Sequence, residues 1–78
     1  DTGLSAIIVE GAPGDRAKAR AGLTGLQLEG RVAFGGFFED GAALAVVRSA
    51  SRAEALAWLA RAGWDPARLV ARDWSQTL

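Results

Sequence analysis

Few side chains in this sequence can act as a general base, because it contains no histidine and no cysteine. Catalysis by an imidazole or a thiolate is therefore excluded, and the usual nitrogen and sulfur ligands of zinc and haem are absent. We expect no metal and no cofactor. A carboxylate can serve as the base only if burial raises its pKa towards neutrality. The remaining candidates are Asp15, Lys18, Asp40, Asp65 and Asp73.

Asp65 is the candidate catalytic residue, and the sequence leaves two interpretations of it open. It directly precedes Pro66, after a predicted helix. A carboxylate there could act as the base of a small site. An aspartate before proline at a helix exit also commonly holds a turn.

Several arginines could anchor an acidic substrate, because a guanidinium group pairs bidentately with a carboxylate. The alternative is that most of them are solvated surface residues. The candidates are Arg16, Arg31, Arg48 and Arg72.

The aromatic residues have both a binding and a structural interpretation. The stretch 31–38 (RVAFGGFF) resembles the strand on which RNA-recognition domains stack bases. Core or interface packing is favoured instead, because the stretch is the second predicted strand rather than the third and the first strand has no aromatic residue. The formal net charge of zero is a further objection to RNA binding. Trp58 and Trp64 are predicted to anchor the second helix and the segment that follows it. For Trp74, the sequence indicates a pocket role and a structural role about equally.

Length and composition indicate one domain covering residues 1–78. A chain this short has a marginal core, and without disulfides or metals it gains stability most readily by oligomerisation. The balanced charge argues against nucleic acid and anionic membranes as partners. The longest apolar run, 42–47, is too short to span a bilayer, and no signal-peptide pattern opens the chain. We expect a cytoplasmic, bacterial protein.

The pattern of apolar residues and turns predicts an α+β fold in the order strand, helix, strand, strand, helix, strand. This is the ferredoxin-like βαββαβ arrangement with an antiparallel sheet. Asp15 and Ser51 are predicted to cap the two helices, the second through a capping box with Glu54. Asp40-Gly41 predicts a two-residue hairpin turn with positive φ at both positions. The predicted strands cover 4–10, 31–39, 42–49 and 68–74, and the helices end near Glu29 and Ala62.

Each helix is expected to bury one stripe of apolar residues, spaced at the helical period. The first stripe comprises Ala19, Leu23 and Leu26, and the second comprises Ala53, Leu56, Ala57 and Ala60.

The strands are apolar on both faces, although two helices cover only one. In the third strand, Ala43, Ala45 and Val47 alternate with Ala42, Leu44 and Val46. In the second, Val32, Phe34 and Phe38 are predicted to share one face. Because an exposed apolar sheet face is unusual in a monomer, we expect a homodimer formed through that face.

Five short motifs together resemble the YCII-related family. They place a glycine at the end of the first helix, a glycine pair in the second strand, a turn, a helix start and an aspartate-proline in the family's order. The motifs are Glu29-Gly30-Arg31-Val32, Gly35-Gly36, Asp40-Gly41, Ser51-Arg52-Ala53-Glu54-Ala55 and Asp65-Pro66.

The resemblance implies a dimeric α/β barrel with a pocket between sheet and helices. Family members are described as small-molecule enzymes that use a histidine–aspartate pair. The aspartate corresponds to Asp65, but the histidine position falls at Ala19 or Gly22, so the imidazole is missing. Together with the arginine and aromatic candidates, the resemblance completes the set of pocket candidates: Arg16, Ala19, Gly22, Phe34, Arg48, Asp65 and Trp74.

Three functions remain open at this point, one of them a protein-interaction or regulatory domain that belongs to a longer chain. The first is a small-molecule-binding or purely structural domain of a homodimer, without the family's histidine-dependent chemistry. The second is a cofactor-free lyase or isomerase acting on a small acidic or aromatic metabolite, an analogy at the level of the fold.

Overall fold

The computed structural model describes residues 6–73. It forms one antiparallel sheet of four strands in the order β2-β3-β1-β4, and two helices pack on the sheet. The predicted α+β class, element order and antiparallel pairing are confirmed, and the topology is compatible with a ferredoxin-like fold. No helix within 6–73 is long and apolar enough to cross a bilayer. The elements are β1 (Ile7–Gly11), α1 (Arg16–Leu28), β2 (Val32–Phe37), β3 (Ala43–Val47), α2 (Arg52–Arg61), a 3₁₀ turn (Pro66–Arg68) and β4 (Leu69–Asp73).

Helix α1 follows its sequence signals closely. The Asp15 carboxylate accepts the Lys18 backbone N–H at 3.2 Å, as expected of an N-cap. The helix buries Ala19, Leu23 and Leu26, which is the predicted stripe. It ends before Gly30, whose φ of +79° lies in the left-handed region that favours glycine.

The predicted buried face of α2 is wrong. Ala53, Ala57 and Ala60 are exposed, and the helix instead buries Ala55 and Leu59. The reason is that α2 is apolar on most of its circumference, so several stripes match the helical period equally well. Leu56, Trp58 and Ala62 are half-buried against the core and complete the true contact face.

The cap of α2 uses one more residue than the predicted capping box. The Ser51 Oγ accepts the Glu54 N–H at 3.2 Å, as predicted. The Ser51 N–H donates to Ser49 Oγ at 3.1 Å, and that hydroxyl lies 2.7 Å from Glu54 Oε1. Ser49, a buried residue just after β3, therefore links Ser51 to Glu54 through its hydroxyl.

We expect Ser49→Ala to destabilise the protein by about 1–2 kcal/mol, because it leaves the Ser51 N–H and the Glu54 carboxylate without this partner. Urea denaturation measures the difference. Thr24→Ala is a suitable control, since its hydroxyl only returns to the Arg20 carbonyl on an exposed helix surface. Equal stability of the two variants would contradict a capping role for Ser49.

The turn between β2 and β3 differs from the predicted two-residue turn. Phe38 N–H donates to the Ala42 carbonyl at 2.8 Å, so the loop has three residues, Glu39, Asp40 and Gly41. Gly41 has a φ of +90°, but Asp40 does not have a positive φ. This is the three-residue hairpin in which a glycine follows a type I turn. The Asp40 carboxylate accepts a hydrogen bond from the Ala42 N–H at 3.0 Å, which stabilises the turn.

A bulge in β2 reverses part of the predicted facing pattern. Val32 pairs with Val47, but Phe34 pairs with Val46, so Ala33 is an extra residue in the strand. Val32 therefore points into the core whereas Phe34 points to the opposite face. The prediction that Val32 and Phe34 share a face is wrong for this reason.

The core lies between the sheet and the helices. Its most completely buried large side chains are Ile7, Val9, Val47, Leu59 and Trp64. The Trp64 indole N–H donates to the Ala19 carbonyl at 3.0 Å, which ties the exit of α2 to α1. The predicted structural role of Trp64 is confirmed.

Candidate functional site

The sheet face opposite the main core, here called the outer face, is largely apolar. Phe34 is 54% exposed and Val70 is 62% exposed, and both belong to strands. Glu10 and Arg72 form an ion pair on neighbouring strands of this face. By strand register the outer face comprises Ile8, Glu10, Phe34, Gly36, Leu44, Val46, Val70 and Arg72.

The outer face carries little charge. Glu10 and Arg72 are the charged side chains that the described strands place on it, and their charges cancel. A side chain at Gly36 would meet nothing within 4 Å, so the surface is open beside Leu44. The face can therefore receive another apolar surface.

A second candidate region is a groove between α1 and α2, with a volume of about 360 Å³. Gly22 and Gly25 of α1 line one side, and Trp58 and Arg61 of α2 line the other. Trp58 and Arg61 lie three residues apart and so on the same side of their helix. Arg31, from the segment after α1, also lines the groove.

One cationic group contacts an aromatic ring in this groove, and a second cationic group lines the groove. The Arg31 guanidinium carbon lies 4.9 Å from the centroid of the Trp58 ring, within range of a cation–π interaction. Arg31 Nε also lies 3.3 Å from Glu29 Oε1 in an exposed pair. Arg61 forms no ion pair with any residue in 6–73. The groove therefore has one more positive than negative side chain.

The two glycines of the groove differ in what they permit. A Cβ on Gly22 would lie 1.9 Å from the Ala62 carbonyl oxygen, so this glycine is required for the close approach of the helices. A Cβ on Gly25 would meet nothing within 4 Å, and its backbone is helical without positive φ. Glycine at this position costs about 1 kcal/mol of helix stability relative to alanine, and neither packing nor conformation requires it.

Asp65 is used as a cap in this structure. Its carboxylate accepts the Ala67 N–H at 3.0 Å and pairs with Arg68, with Nε and Oδ2 3.9 Å apart. Its own N–H donates to the Pro13 carbonyl at 3.1 Å. The side chain is about half exposed and does not line the groove. These contacts are those of a residue that holds a turn.

The pocket candidates predicted from the sequence lie on different surfaces. Ala19 is fully buried and Gly22 lies at the helix crossing, both on the helix side of the sheet. Phe34 is on the outer face. Arg48 is exposed just after β3, and its N–H donates to the Arg31 carbonyl at 2.7 Å. Trp74 lies outside the described residues.

Arg16 is the remaining candidate, and it packs on an aromatic ring. Its guanidinium carbon lies 5.8 Å from the Phe37 ring centroid, and that of Arg20 lies 5.4 Å away. Phe37 in turn contacts Trp64, with ring centroids 5.7 Å apart. This cluster extends the core to the surface of α1.

Sequence reasoning missed the groove residues Gly25 and Arg61, and for Trp58 it favoured the structural interpretation over a role in a pocket. The available signal was a tryptophan and an arginine three residues apart in one helix, facing a helix with two glycines. No group of three or more carboxylates within 6–73 is placed to hold a metal ion. Comparison with family models, curated proteins and solved structures gave no match.

Proposed function

We propose that this chain is the self-associating domain of a homodimer, in which two copies pack outer face to outer face. The observation that supports this most directly is the apolar outer face, where Phe34 and Val70 are each more than half exposed. Packing two such faces together removes apolar surface from water, which is the main driving force of association. The arrangement is the one that the resemblance to the YCII-related family implies.

A second copy of the chain fits this face better than other classes of partner. The charged groups of the strands on this face, Glu10 and Arg72, cancel each other, whereas nucleic acid or an anionic membrane would require a basic surface. A twofold axis brings identical patches together, and a patch with one charge of each sign is compatible with itself. The exposed contact area comes from Phe34 and Val70 together with half-buried Leu44, because Ile8 and Val46 are already buried within the chain.

The role that we propose is not catalytic. The carboxylate that the family resemblance identifies, Asp65, is already occupied by the Ala67 N–H and by Arg68. It lies outside the groove that contains the aromatic and cationic groups. The lyase or isomerase alternative therefore gains no support from the position of Asp65.

We expect Phe34→Lys to weaken the dimer by at least about tenfold, because placing a charge at an aromatic contact residue of an interface costs more than about 1.4 kcal/mol. The symmetry places the new charge in the interface twice. Sedimentation velocity and native mass spectrometry across a concentration series report the subunit mass of each variant.

Leu28→Lys is the matched control. Leu28 is 84% exposed at the end of α1, away from the outer face, so the same change there should leave association unaltered. Circular dichroism checks that both variants are folded. A wild-type protein that sediments as a monomer at all concentrations would refute the proposal, as would an equal effect of the two variants.

A further inference from the structure

The groove between α1 and α2 has the chemistry of a binding site for a small anion. Arg31 and Arg61 reach it from two different parts of the chain, and guanidinium groups pair with carboxylates through two parallel hydrogen bonds. The exposed Glu29 carboxylate offsets one of these charges, in an ion pair of the weak surface kind. Arg61 has no acidic partner in the described part of the chain, so its charge is available to a ligand.

The lining of the groove suits an aromatic ring. Its walls combine the Trp58 indole, the Leu26 side chain and the bare backbone at Gly25. The volume of about 360 Å³ is at the lower end of the range of small-molecule sites. An aromatic ring can lie against the backbone at Gly25 and beside the indole, which the Arg31 guanidinium already covers in part.

Gly25 is the observation that distinguishes a binding groove from a simple packing gap. Nothing lies within 4 Å of the position that its Cβ would occupy, and alanine would make a better helix. A side chain there would reduce the space in the groove. The glycine is therefore explained by the room that it leaves for a ligand.

We propose that this groove binds a small planar carboxylate of the aromatic-acid class, with Arg61 and Arg31 holding the carboxylate and the ring lying along Trp58 and Gly25. The inference does not rest on the homodimer, because the groove is on the helix side of the sheet and the outer face is on the other. A monomeric protein would retain the groove. Failure of one proposal therefore leaves the other standing.

The test uses benzoate as the probe, with benzamide and inorganic phosphate as comparisons. Benzamide keeps the ring and removes the charge, and phosphate keeps a negative charge and removes the ring. In ¹H–¹⁵N spectra of the full chain, benzoate should shift the Trp58 indole N–H and the Gly25 amide in a saturable way. Benzoate should bind at least about tenfold more tightly than either comparison, as expected when charge-assisted hydrogen bonds and ring contacts both contribute.

Variants locate the binding. Arg61→Gln should weaken benzoate binding at least about tenfold, whereas Arg52→Gln, the same change at the other end of α2, should leave it unchanged. Gly25→Leu should block the groove while improving the helix, and an unaltered or higher unfolding midpoint confirms that it is folded. The proposal is overturned if benzoate causes no saturable shift at Trp58, if benzamide or phosphate binds as tightly, or if Arg61→Gln and Arg52→Gln behave alike.

Discussion

Replacing Gly22 with alanine should destabilise the protein by at least about 2–3 kcal/mol, the upper part of the range for overpacked sites. The added Cβ would lie 1.9 Å from the Ala62 carbonyl oxygen and 2.7 Å from the Ala62 carbonyl carbon. Both atoms belong to the backbone, so no side-chain rotation relieves the clash. The helices must separate, and Ala19 and Leu23, which flank Gly22 on α1, must move from the core with them.

Gly25→Ala is the matched control for this prediction. It lies three residues further along the same helix, where a Cβ meets nothing within 4 Å. The same chemical change should there stabilise the protein by about 1 kcal/mol through helix propensity alone. Urea denaturation with a common slope for all variants gives both differences. If the two substitutions shift the urea midpoint in the same direction and by similar amounts, α1 and α2 do not approach each other closely at Gly22.

Trp64→Ala should remove about 3–5 kcal/mol of stability, the usual cost of deleting a buried large aromatic side chain. Trp64 is 2% exposed, contacts Phe37 and donates its indole N–H to the Ala19 carbonyl. A domain of this length has a total stability of only about 4–12 kcal/mol. The variant is therefore expected to be largely unfolded or close to it at physiological temperature, and thermal unfolding followed by circular dichroism reports this.

Two further variants separate the contributions at Trp64. Trp64→Phe keeps most of the apolar volume and loses the hydrogen bond to Ala19, so it should cost less than Trp64→Ala. Trp58→Ala is the comparison for position, because Trp58 is only half-buried and its ring also faces Arg31. A cost at Trp58 that equals the cost at Trp64 would show that the core is not centred where the structure places it.

Local signals in the sequence were sufficient for the elements and their order. Asp15 and Ser51 start the helices because their side-chain oxygens accept backbone N–H groups that the first turn leaves unpaired. Gly30 and Gly63 end them with positive φ. The α1 stripe was also readable, since Ala19, Leu23 and Leu26 recur at the helical period and are separated by small or polar residues. Each of these features depends on residues within a few positions of one another.

The features that sequence did not predict depend on contacts between distant segments. The Ala33 bulge follows from the pairing of β2 with β3, and it alone puts Phe34 on the outer face while Val32 stays in the core. The sequence of α2 does not predict which side of the helix is buried, because alanines occur all around it. The packing of Ala55 and Leu59 in the core determines the buried side. The cap through Ser49 is an exception, because Ser49 lies only two residues from Ser51 and five from Glu54, and it is a local contact that the predicted capping box left out.

The sequence by itself determined that this is a small α+β chain without imidazole or thiol chemistry, with strands that are apolar on both sides. These properties follow from composition and periodicity, which need no knowledge of three-dimensional neighbours. Only the tertiary structure decided which glycine is a helix contact and which leaves space, and that Arg31, Trp58 and Arg61 border one groove. The reason is that a groove is a relation between two helices, and its geometry is set by the backbone approach at Gly22 rather than by any local pattern.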